Sequence, residues 1–143
     1  MKLKGRALVP GYASGRAVVV DYINFYGDVD LEKASLLDGR SLKGAVIVAR
    51  ASRGSTVGSY VIYALAKKHG SPKAIVMEEA EPIIVAGCVL AGIPLVSGIP
   101  WSTLSKIRDG SVVFVYADGT VEVRPGASQP PSPLPGGSRG WSL

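Results

Sequence analysis

The sequence predicts one α+β domain in which two or three helices cover a compact mixed β-sheet or half-barrel. Three observations lead to this fold class. The chain has 143 residues, 47% of them hydrophobic, which suits one domain with one core. Eighteen glycines and only 7% aromatic residues are typical of short strands joined by tight turns. Apolar strand-length runs and helical periodicity follow one another in the order β-β-β-α-β-α-β-β-β.

The N-terminal third predicts strands and one long connection. Residues 2–20 indicate two strands around a Pro-Gly turn at 10–11, with a bend at Gly15 and a buried strand over 17–20. Residues 22–44 follow as a connection rich in Gly, Asp and Asn. A loop of that length in a compact domain is typical of a functional or partner-facing segment.

The middle of the chain predicts a strand, a loop and a helix. An apolar strand over 44–49 leads into a loop over 50–55, and a helix follows from about 57 to 69. Lys67 and Lys68 complement the helix dipole, and Gly70 is suited to end the helix. Apolar residues at spacings of three and four predict the packed face of this helix, namely Val57, Tyr60, Val61, Ala64 and Leu65.

The remaining elements predict the rest of the sheet. They are a strand over 74–77, a short buried helix over 83–91 preceded by Pro82, a strand over 93–96, a helical turn over 101–108 and a hairpin over 111–123 with an Asp-Gly turn. We expect the domain to span 1–124. Residues 125–143 are rich in Pro, Gly and Ser and predict a flexible tail, which contains Trp141.

Net charge and the length of the apolar runs limit the classes of partner that we expect for this chain. The net charge of +5 is spread along the sequence, and no strip combines basic and aromatic residues as in single-strand nucleic-acid binders. We therefore expect an acidic partner subunit or an anionic substrate and no nucleic acid. The longest apolar runs are too short to span a membrane, and the N-terminus lacks a signal-peptide apolar region, so we expect a cytoplasmic protein.

Ser55 is the leading candidate for chemistry. It lies in the run Arg53-Gly54-Ser55-Thr56 directly before the predicted helix, where backbone N–H groups and the dipole favour an anion or a reacting oxygen. Helix capping alone also explains a Ser or Thr at this position. A serine acts as a base only where its alkoxide is stabilised, and Gly54 permits close backbone approach to a ligand.

The other polar residues offer no obvious second catalytic group. Arg50 and Arg53 flank the loop, where either suits a bidentate phosphate or carboxylate contact, a solvated surface or a partner contact. His69 lies about 18 Å along the helix from Ser55 and is expected on the surface. Cys88 is expected in the core, and as the single cysteine it excludes an intrachain disulfide and a Cys-only metal site. We expect the acidic residues at 78–81 to be an exposed strand end and no residues of this chain to bind a metal.

Four blocks in order resemble the small, swivelling-domain component of the aconitase X family. They are the aromatic-Gly-x-Val-Asp segment within 22–30, DGRSLKG at 38–44, RGST at 53–56 with its helix, and the 74–77 strand followed by the 83–91 run and IPLV at 93–96. The blocks fall within residues 2 to about 123, which is nearly everything except the tail. The resemblance implies a swivelling β/β/α domain.

The resemblance also implies a function. Members with two subunits are hydro-lyases whose large subunit holds an iron–sulfur cluster, expected to be [4Fe-4S], so this chain is expected to act only as the small subunit of a heterodimer. The family implies that Ser55 is the proton-abstracting base, while the cluster polarises the leaving hydroxyl. Arg53, Gly54 and Thr56 are the expected substrate-binding residues. Classical aconitases have an arginine where this chain has Val57, so that arginine's carboxylate-binding role does not carry over.

Within the family, the resemblance implies dehydration of (R)-5-phosphomevalonate to trans-anhydromevalonate 5-phosphate in the modified mevalonate pathway of archaea. The alternative within the same scaffold is the small subunit of a cis-3-hydroxyproline dehydratase, and the residues do not visibly encode that choice. A third hypothesis, from another class, is a non-catalytic anion-binding or regulatory domain.

Overall fold

Ten strands and three helices form the part of the chain that the computed structural model describes, residues 1–53, 58–68 and 71–126. In chain order they are β1 (Lys2–Lys4), β2 (Arg6–Val9), β3 (Ala13–Ile23), β4 (Val29–Asp30), β5 (Ser35–Leu36), β6 (Ala45–Ser52), α1 (Gly58–Lys67), β7 (Ala74–Met77), α2 (Pro82–Ala91), β8 (Leu95–Ser97), α3 (Trp101–Leu104), β9 (Val112–Val115) and β10 (Thr120–Arg124). The predicted α+β class is confirmed, and the described residues contain three helices where two or three were predicted.

Eight strands form one mixed sheet in the order β1-β10-β9-β3-β6-β7-β8-β2. The four central strands β3, β6, β7 and β8 run parallel to one another, whereas β9, β10, β1 and β2 pair antiparallel with their neighbours. Parallel strands buried on both faces read as continuous apolar runs, and β6 and β7 show this pattern. Because β3, β6, β7 and β8 run in the same direction, their carboxyl ends lie along one edge of the sheet.

The two edge strands of the sheet are consecutive in sequence, separated only by Gly5. Because β1 pairs with β10 and β2 pairs with β8, the chain at Gly5 connects opposite edges and curls the sheet into a half-barrel. The Gly5 N–H donates to the Gly119 carbonyl at 2.9 Å. A Cβ at Gly5 would lie 2.5 Å from Val96 Cγ1, so only glycine fits this crossing.

Two apolar clusters cover the two faces of the sheet. One lies beneath α1 and α2 and includes Ile47, Ile75, Met77, Ile62 and Leu65. The other is enclosed by the curl of the sheet and is closed by Leu104 and Ile107, with Val46, Val48, Val76, Val96, Val113, Val115, Val121 and Val123 inside it. Successive residues of β6 alternate between the two clusters, as the strand period of two requires.

Helix α1 buries a face that differs in part from the predicted one. In α1, Val61 and Leu65 are buried as expected, but Tyr60 is 65% exposed and Ile62 is fully buried instead. An aliphatic side chain needs no partner for a hydroxyl, so Ile62 suits the close contact with α2 better than a tyrosine does. Tyr60 lines a surface groove of about 350 Å³ beside Phe25.

The prediction that α2 is a buried helix is also wrong in part. Ile84, Gly87 and Cys88 are buried, whereas Val89 and Leu90 are exposed. The reason is that α2 covers the sheet and α1 with one face only, and Gly87 allows the Cα of Ser59 to come close. Among the described helices, none has the length and apolar character needed to cross a bilayer.

Element boundaries differ from the predicted ones where pairing with a neighbouring strand determines how far an element extends. The predicted loop begins at Arg50, but β6 continues to Ser52 because Ala51 and Ser52 pair with the extended end of β3. The expected bend at Gly15 lies inside the continuous β3, where the Gly44 carbonyl approaches closely. The connection 22–44 contains the small β4–β5 sheet, which was not predicted. Three residues that the sequence places at the ends of α1 lie outside the described residues, namely Val57, His69 and Gly70.

Two C-terminal elements are shorter or shifted. The strand predicted over 93–96 starts two residues later, as β8, after Pro94, which has no N–H to donate to a sheet. The helical turn predicted over 101–108 is α3, which ends at Leu104. The hairpin is confirmed as β9 and β10, with the Gly119 N–H donating to the Tyr116 carbonyl in the turn.

Candidate active site

The edge where the parallel strands end carries the candidate site. Ligands of open parallel sheets bind outside the carboxyl ends of the strands, because loops of variable sequence meet there on a rigid scaffold. Here Tyr22 lies near the end of β3, and Arg50 lies near the end of β6 with Arg53 directly after it. Glu78 follows β7, and Trp101 begins α3 shortly after β8. The sheet therefore gathers cations, aromatic rings and a carboxylate from four strands.

Arg50 is held on three sides. Its guanidinium carbon lies 5.1 Å from the centroid of the Tyr22 ring and 5.4 Å from that of the Trp101 ring. Its Nε lies 2.7 Å from Asp21 Oδ1, although the N–H does not point at that oxygen, so the contact is electrostatic rather than a hydrogen bond. The side chain keeps 38% of its surface exposed. These contacts fix the guanidinium while leaving part of it open.

Arg53, which the sequence predicts as a substrate-binding residue, shares the same aromatic ring. Its guanidinium carbon lies 3.9 Å from the Tyr22 centroid, within the distance of a cation–π contact. Its backbone N–H donates to the Ile23 carbonyl at 2.9 Å, which continues the β3–β6 pairing by one residue. The Arg53 side chain is exposed. Tyr22 thus contacts both arginines that flank the predicted loop.

The acidic residues that follow β7 have structural partners. Glu78 Oε1 accepts a hydrogen bond from the Trp101 backbone N–H at 2.8 Å and so fixes the start of α3. Glu81 Oε1 accepts from Ser52 Oγ at 2.7 Å, which ties the end of β6 to the start of α2. Glu78, Glu79 and Glu81 are exposed, as predicted for an acidic strand end.

Ser55, Gly54 and Thr56 lie outside the described residues. The described chain reaches Arg53 at this edge and resumes at Gly58, the first residue of α1. The assignments of Ser55 as base, and of Gly54 and Thr56 as substrate-binding residues, therefore remain predictions from the sequence. Residues 127–143, which hold most of the predicted tail and Trp141, also lie outside the described part.

The DGR run at 38–40, which belongs to the second family-like block, tethers the long connection. Arg40 Nη1 donates to the Val19 carbonyl at 2.9 Å and to Asp109 Oδ1 at 2.8 Å, and its Nε and Nη2 donate to Asp38. Hydrogen bonds from Arg40 lower the pKa of the Asp38 carboxyl. This network anchors the segment that follows Tyr22 to the middle of β3, on which the candidate site depends.

Sequence reasoning missed three residues of the site: Asp21, Tyr22 and Trp101. Tyr22 was noted only as part of a family-like block, and Trp101 only as the start of a helical turn. Nothing in their sequence spacing indicates that they converge, because they come from β3 and from the segment after β8, 79 positions further along the chain. Pairing of β3 with β6 places Tyr22 opposite Ala51 and so beside Arg50.

The donor set of the chain does not fit an iron–sulfur cluster. Such clusters take several cysteine thiolates, whereas Cys88 is the single cysteine and its side chain is fully buried in the core beneath α2, as predicted. Burial raises the pKa of its thiol to about 12. Within residues 1–53, 58–68 and 71–126, no three His, Cys, Asp or Glu side chains are grouped so as to hold a metal.

Cys88 is therefore expected to resist alkylation in the folded protein. A thiol whose pKa is about 12 has almost no thiolate at pH 8, and the thiolate is the nucleophile. Iodoacetamide at pH 8 should label the native chain very slowly and the chain in denaturant rapidly. A Ser105→Cys variant supplies an exposed control thiol. Equal labelling rates for Cys88 and the control in the folded state would contradict the buried position.

Comparison with known proteins gives consistent matches. A family model described as the aconitase X swivel domain matches residues 2–123. The phosphomevalonate dehydratase small subunit of Aeropyrum pernix is 52% identical over 91% of this chain and 98% of its own length. The subunit of the same name from Pyrococcus furiosus is 46% identical over 86% of this chain and 96% of its own length.

A solved structure shares the fold. The crystal structure of Thermococcus kodakaraensis aconitase X in its holo-form superposes with a TM-score of 0.78 at 41% sequence identity, covering 86% of this chain and 98% of that chain. The matched region includes the half-barrel and the predicted site segment within residues 2–123. The family resemblance carried by the four sequence blocks is thus confirmed.

Proposed function

This chain belongs to the aconitase X swivel-domain family, and on that basis we propose that it is the small subunit of a two-subunit hydro-lyase that dehydrates (R)-5-phosphomevalonate to trans-anhydromevalonate 5-phosphate. The observation that carries the proposal is the 52% identity to a phosphomevalonate dehydratase small subunit along nearly the whole of both chains. This reaction belongs to the modified mevalonate pathway of archaea, which leads to isoprenoids. The two cations at the carboxyl edge of the sheet suit an anionic substrate.

The proposal divides the chemistry between two chains. The name of the relatives implies a larger partner subunit, with which this chain forms a heterodimer. The large subunit supplies the iron–sulfur cluster, of the [4Fe-4S] type, and with it a Lewis acid for the leaving hydroxyl. No residue of this chain is assigned to the cluster, because its single cysteine is buried in the core.

The contribution of this chain is a base and a binding surface. Ser55 takes the proton from the carbon next to the one that bears the leaving hydroxyl, with Gly54 and Thr56 beside it. The first turn of α1, which begins at Gly58, has backbone N–H groups without helical acceptors, and these favour an alkoxide close to the helix start. Arg53 attracts the anionic substrate to this edge.

Reconstitution tests the proposed function. The chain and the large subunit encoded with it are co-expressed without oxygen, and 5-phosphomevalonate is incubated with the purified pair and followed by proton and phosphorus NMR. We expect loss of water to form anhydromevalonate phosphate with the pair and no reaction with either subunit alone.

Two results would contradict the proposal in different ways. A stable, brown complex that leaves phosphomevalonate unchanged and dehydrates cis-3-hydroxyproline would keep the hydro-lyase and replace the substrate. Failure to form any complex would instead favour an anion-binding or regulatory domain.

A further inference from the structure

We propose that Arg50 binds the phosphate group of the substrate and that Tyr22 and Trp101 are the residues that position it. This inference rests on the proposed function for the identity of the substrate, while the anion chemistry is argued from the site itself. The sequence left the role of Arg50 open between a phosphate or carboxylate contact, a solvated surface and a partner contact. The ligand class is a phosphate monoester, bound together by Arg50 and Arg53.

Among the described residues, nothing occupies the hydrogen-bonding edge that the two Nη atoms of Arg50 form. The Tyr22 and Trp101 rings contact the guanidinium, and Asp21 lies at its Nε. No described residue accepts a hydrogen bond from either Nη atom. Two parallel N–H groups in a fixed plane match two phosphate oxygens, which is why arginine is favoured for bidentate phosphate recognition.

The local charge suits a dianion. Arg50 and Arg53 both contact the Tyr22 ring, at 5.1 and 3.9 Å from its centroid, so two positive charges lie beside the same ring. The Asp21 carboxylate offsets the charge of Arg50, since its Oδ1 lies 2.7 Å from Arg50 Nε. The carboxylates of Glu78 and Glu81 already accept hydrogen bonds from Trp101 and Ser52. A phosphate monoester, which carries nearly two negative charges at neutral pH, would relieve the repulsion between the guanidinium groups.

The backbone under Arg50 is rigid. Arg50 lies in β6, flanked by β3 and β7, and its carbonyl accepts a hydrogen bond from the Glu79 N–H at 3.1 Å. A binding group on a strand, whose guanidinium already contacts two rings and a carboxylate, loses little freedom when the ligand arrives, which favours affinity. Arg53, beyond the end of the strand, has a single ring contact among the described residues.

Other arginines of the chain show what a purely structural role looks like. Arg40 uses its side chain on Val19, Asp38 and Asp109. Arg124 lies 5.1 Å from the Phe114 ring centroid and donates to Glu122, on β10 near the amino end of β3. Arg124 is therefore a matched control, an arginine stacked on a ring and paired with an acid but distant from the carboxyl edge.

The test uses the assembled pair of subunits with Arg50→Gln, Arg50→Lys and Arg124→Gln. Binding of inorganic phosphate is measured by calorimetry, and kcat and KM are measured with 5-phosphomevalonate. We expect Arg50→Gln to weaken phosphate binding and raise KM by about 10- to 100-fold while kcat changes little, since a group remote from the reacting carbon contributes uniform binding. Arg50→Lys should recover part of the affinity, and Arg124→Gln should behave as wild type.

A pair of variants tests positioning by Tyr22. Tyr22→Phe keeps the ring and should keep phosphate affinity, whereas Tyr22→Leu should weaken it by about 3- to 10-fold, although Arg50 is still present. Normal phosphate affinity in Tyr22→Phe together with weakened affinity in Tyr22→Leu would show that binding depends on the aromatic ring.

The inference is overturned if the wild-type pair does not bind inorganic phosphate, or if Arg50→Gln binds it like Arg124→Gln. If Arg50→Gln does not assemble with the large subunit, phosphate binding by Arg50→Lys and by the Tyr22 variants tests the inference. Phosphate calorimetry does not depend on turnover. A pair that binds phosphate through Arg50 yet leaves phosphomevalonate unchanged would therefore refute the proposed substrate and keep the anion site.

Discussion

Replacing Ser55 by alanine is expected to abolish dehydration by the reconstituted pair, lowering kcat by at least about 10²- to 10⁴-fold. The reason is that the substitution removes the only group of this chain proposed to take the proton, and no second base of suitable position follows from the sequence. KM and the assembly of the two subunits should change little, because only one hydroxyl is lost. Single-turnover kinetics with iron content and gel filtration as controls would measure this.

Thr56→Ala is the matched control for Ser55→Ala. Both substitutions remove a hydroxyl from the same short run before α1, but only Ser55 is proposed to be the base. If Thr56→Ala abolishes turnover and Ser55→Ala does not, the two roles are exchanged. If both variants keep full activity, the chain contributes no base. The kcat effect at Ser55 and the KM effect at Arg50 should therefore separate chemistry from binding.

The largest effect on stability is expected at Gly119, where the hairpin turn touches the junction of the sheet edges. Gly119 has φ +92°, and a Cβ there would lie 2.4 Å from the Gly5 carbonyl oxygen. Gly119→Ala would combine backbone strain with a clash against main chain that cannot rotate away. We expect a loss of about 3–5 kcal/mol in the free energy of unfolding, a large part of the total for a domain of this size. Urea denaturation followed by circular dichroism measures it.

Gly39→Ala separates strain from crowding. Gly39 has nearly the same backbone angle, φ +98°, but nothing lies within 4 Å of a Cβ built there. Its substitution should cost only about 1–2 kcal/mol, the strain of a left-handed conformation. Equal losses for the two variants would show that the contact with Gly5 contributes nothing to stability.

Local patterns predicted most of the secondary structure. Continuous apolar runs gave β6 and β7, the helical period gave α1, and the Asp-Gly turn gave the β9–β10 hairpin. Patterns within a short window do not contain strand pairing. For this reason Arg50 was placed in a loop, although the extended end of β3 keeps it in β6. The break at Gly5 was missed for the same reason, since it depends on contacts with Val96 and Gly119.

The candidate site shows the same limit at the level of side chains. Ser55 and Arg53 were predicted, and Arg50 was considered, because they lie close together in the sequence, before a helix. Tyr22 and Trp101 were not, because their role exists only once β3, β6 and α3 are assembled. Tyr60 was misplaced because helical spacing alone does not distinguish a buried face from a groove that a tyrosine lines.

The junction at Gly5 also determines when the fold can be completed during synthesis. Residues 2–4 leave the ribosome well before their strand partners, residues 120–122, which lie near the end of the described chain. Such distant pairings make folding slow, because a long loop must close before they form. Until then, β1 and the outer edge of β10 remain without a strand partner and can pair with other chains. Strand β1 is thus made early but paired late, and slower synthesis would lengthen the period of exposure rather than help this domain fold.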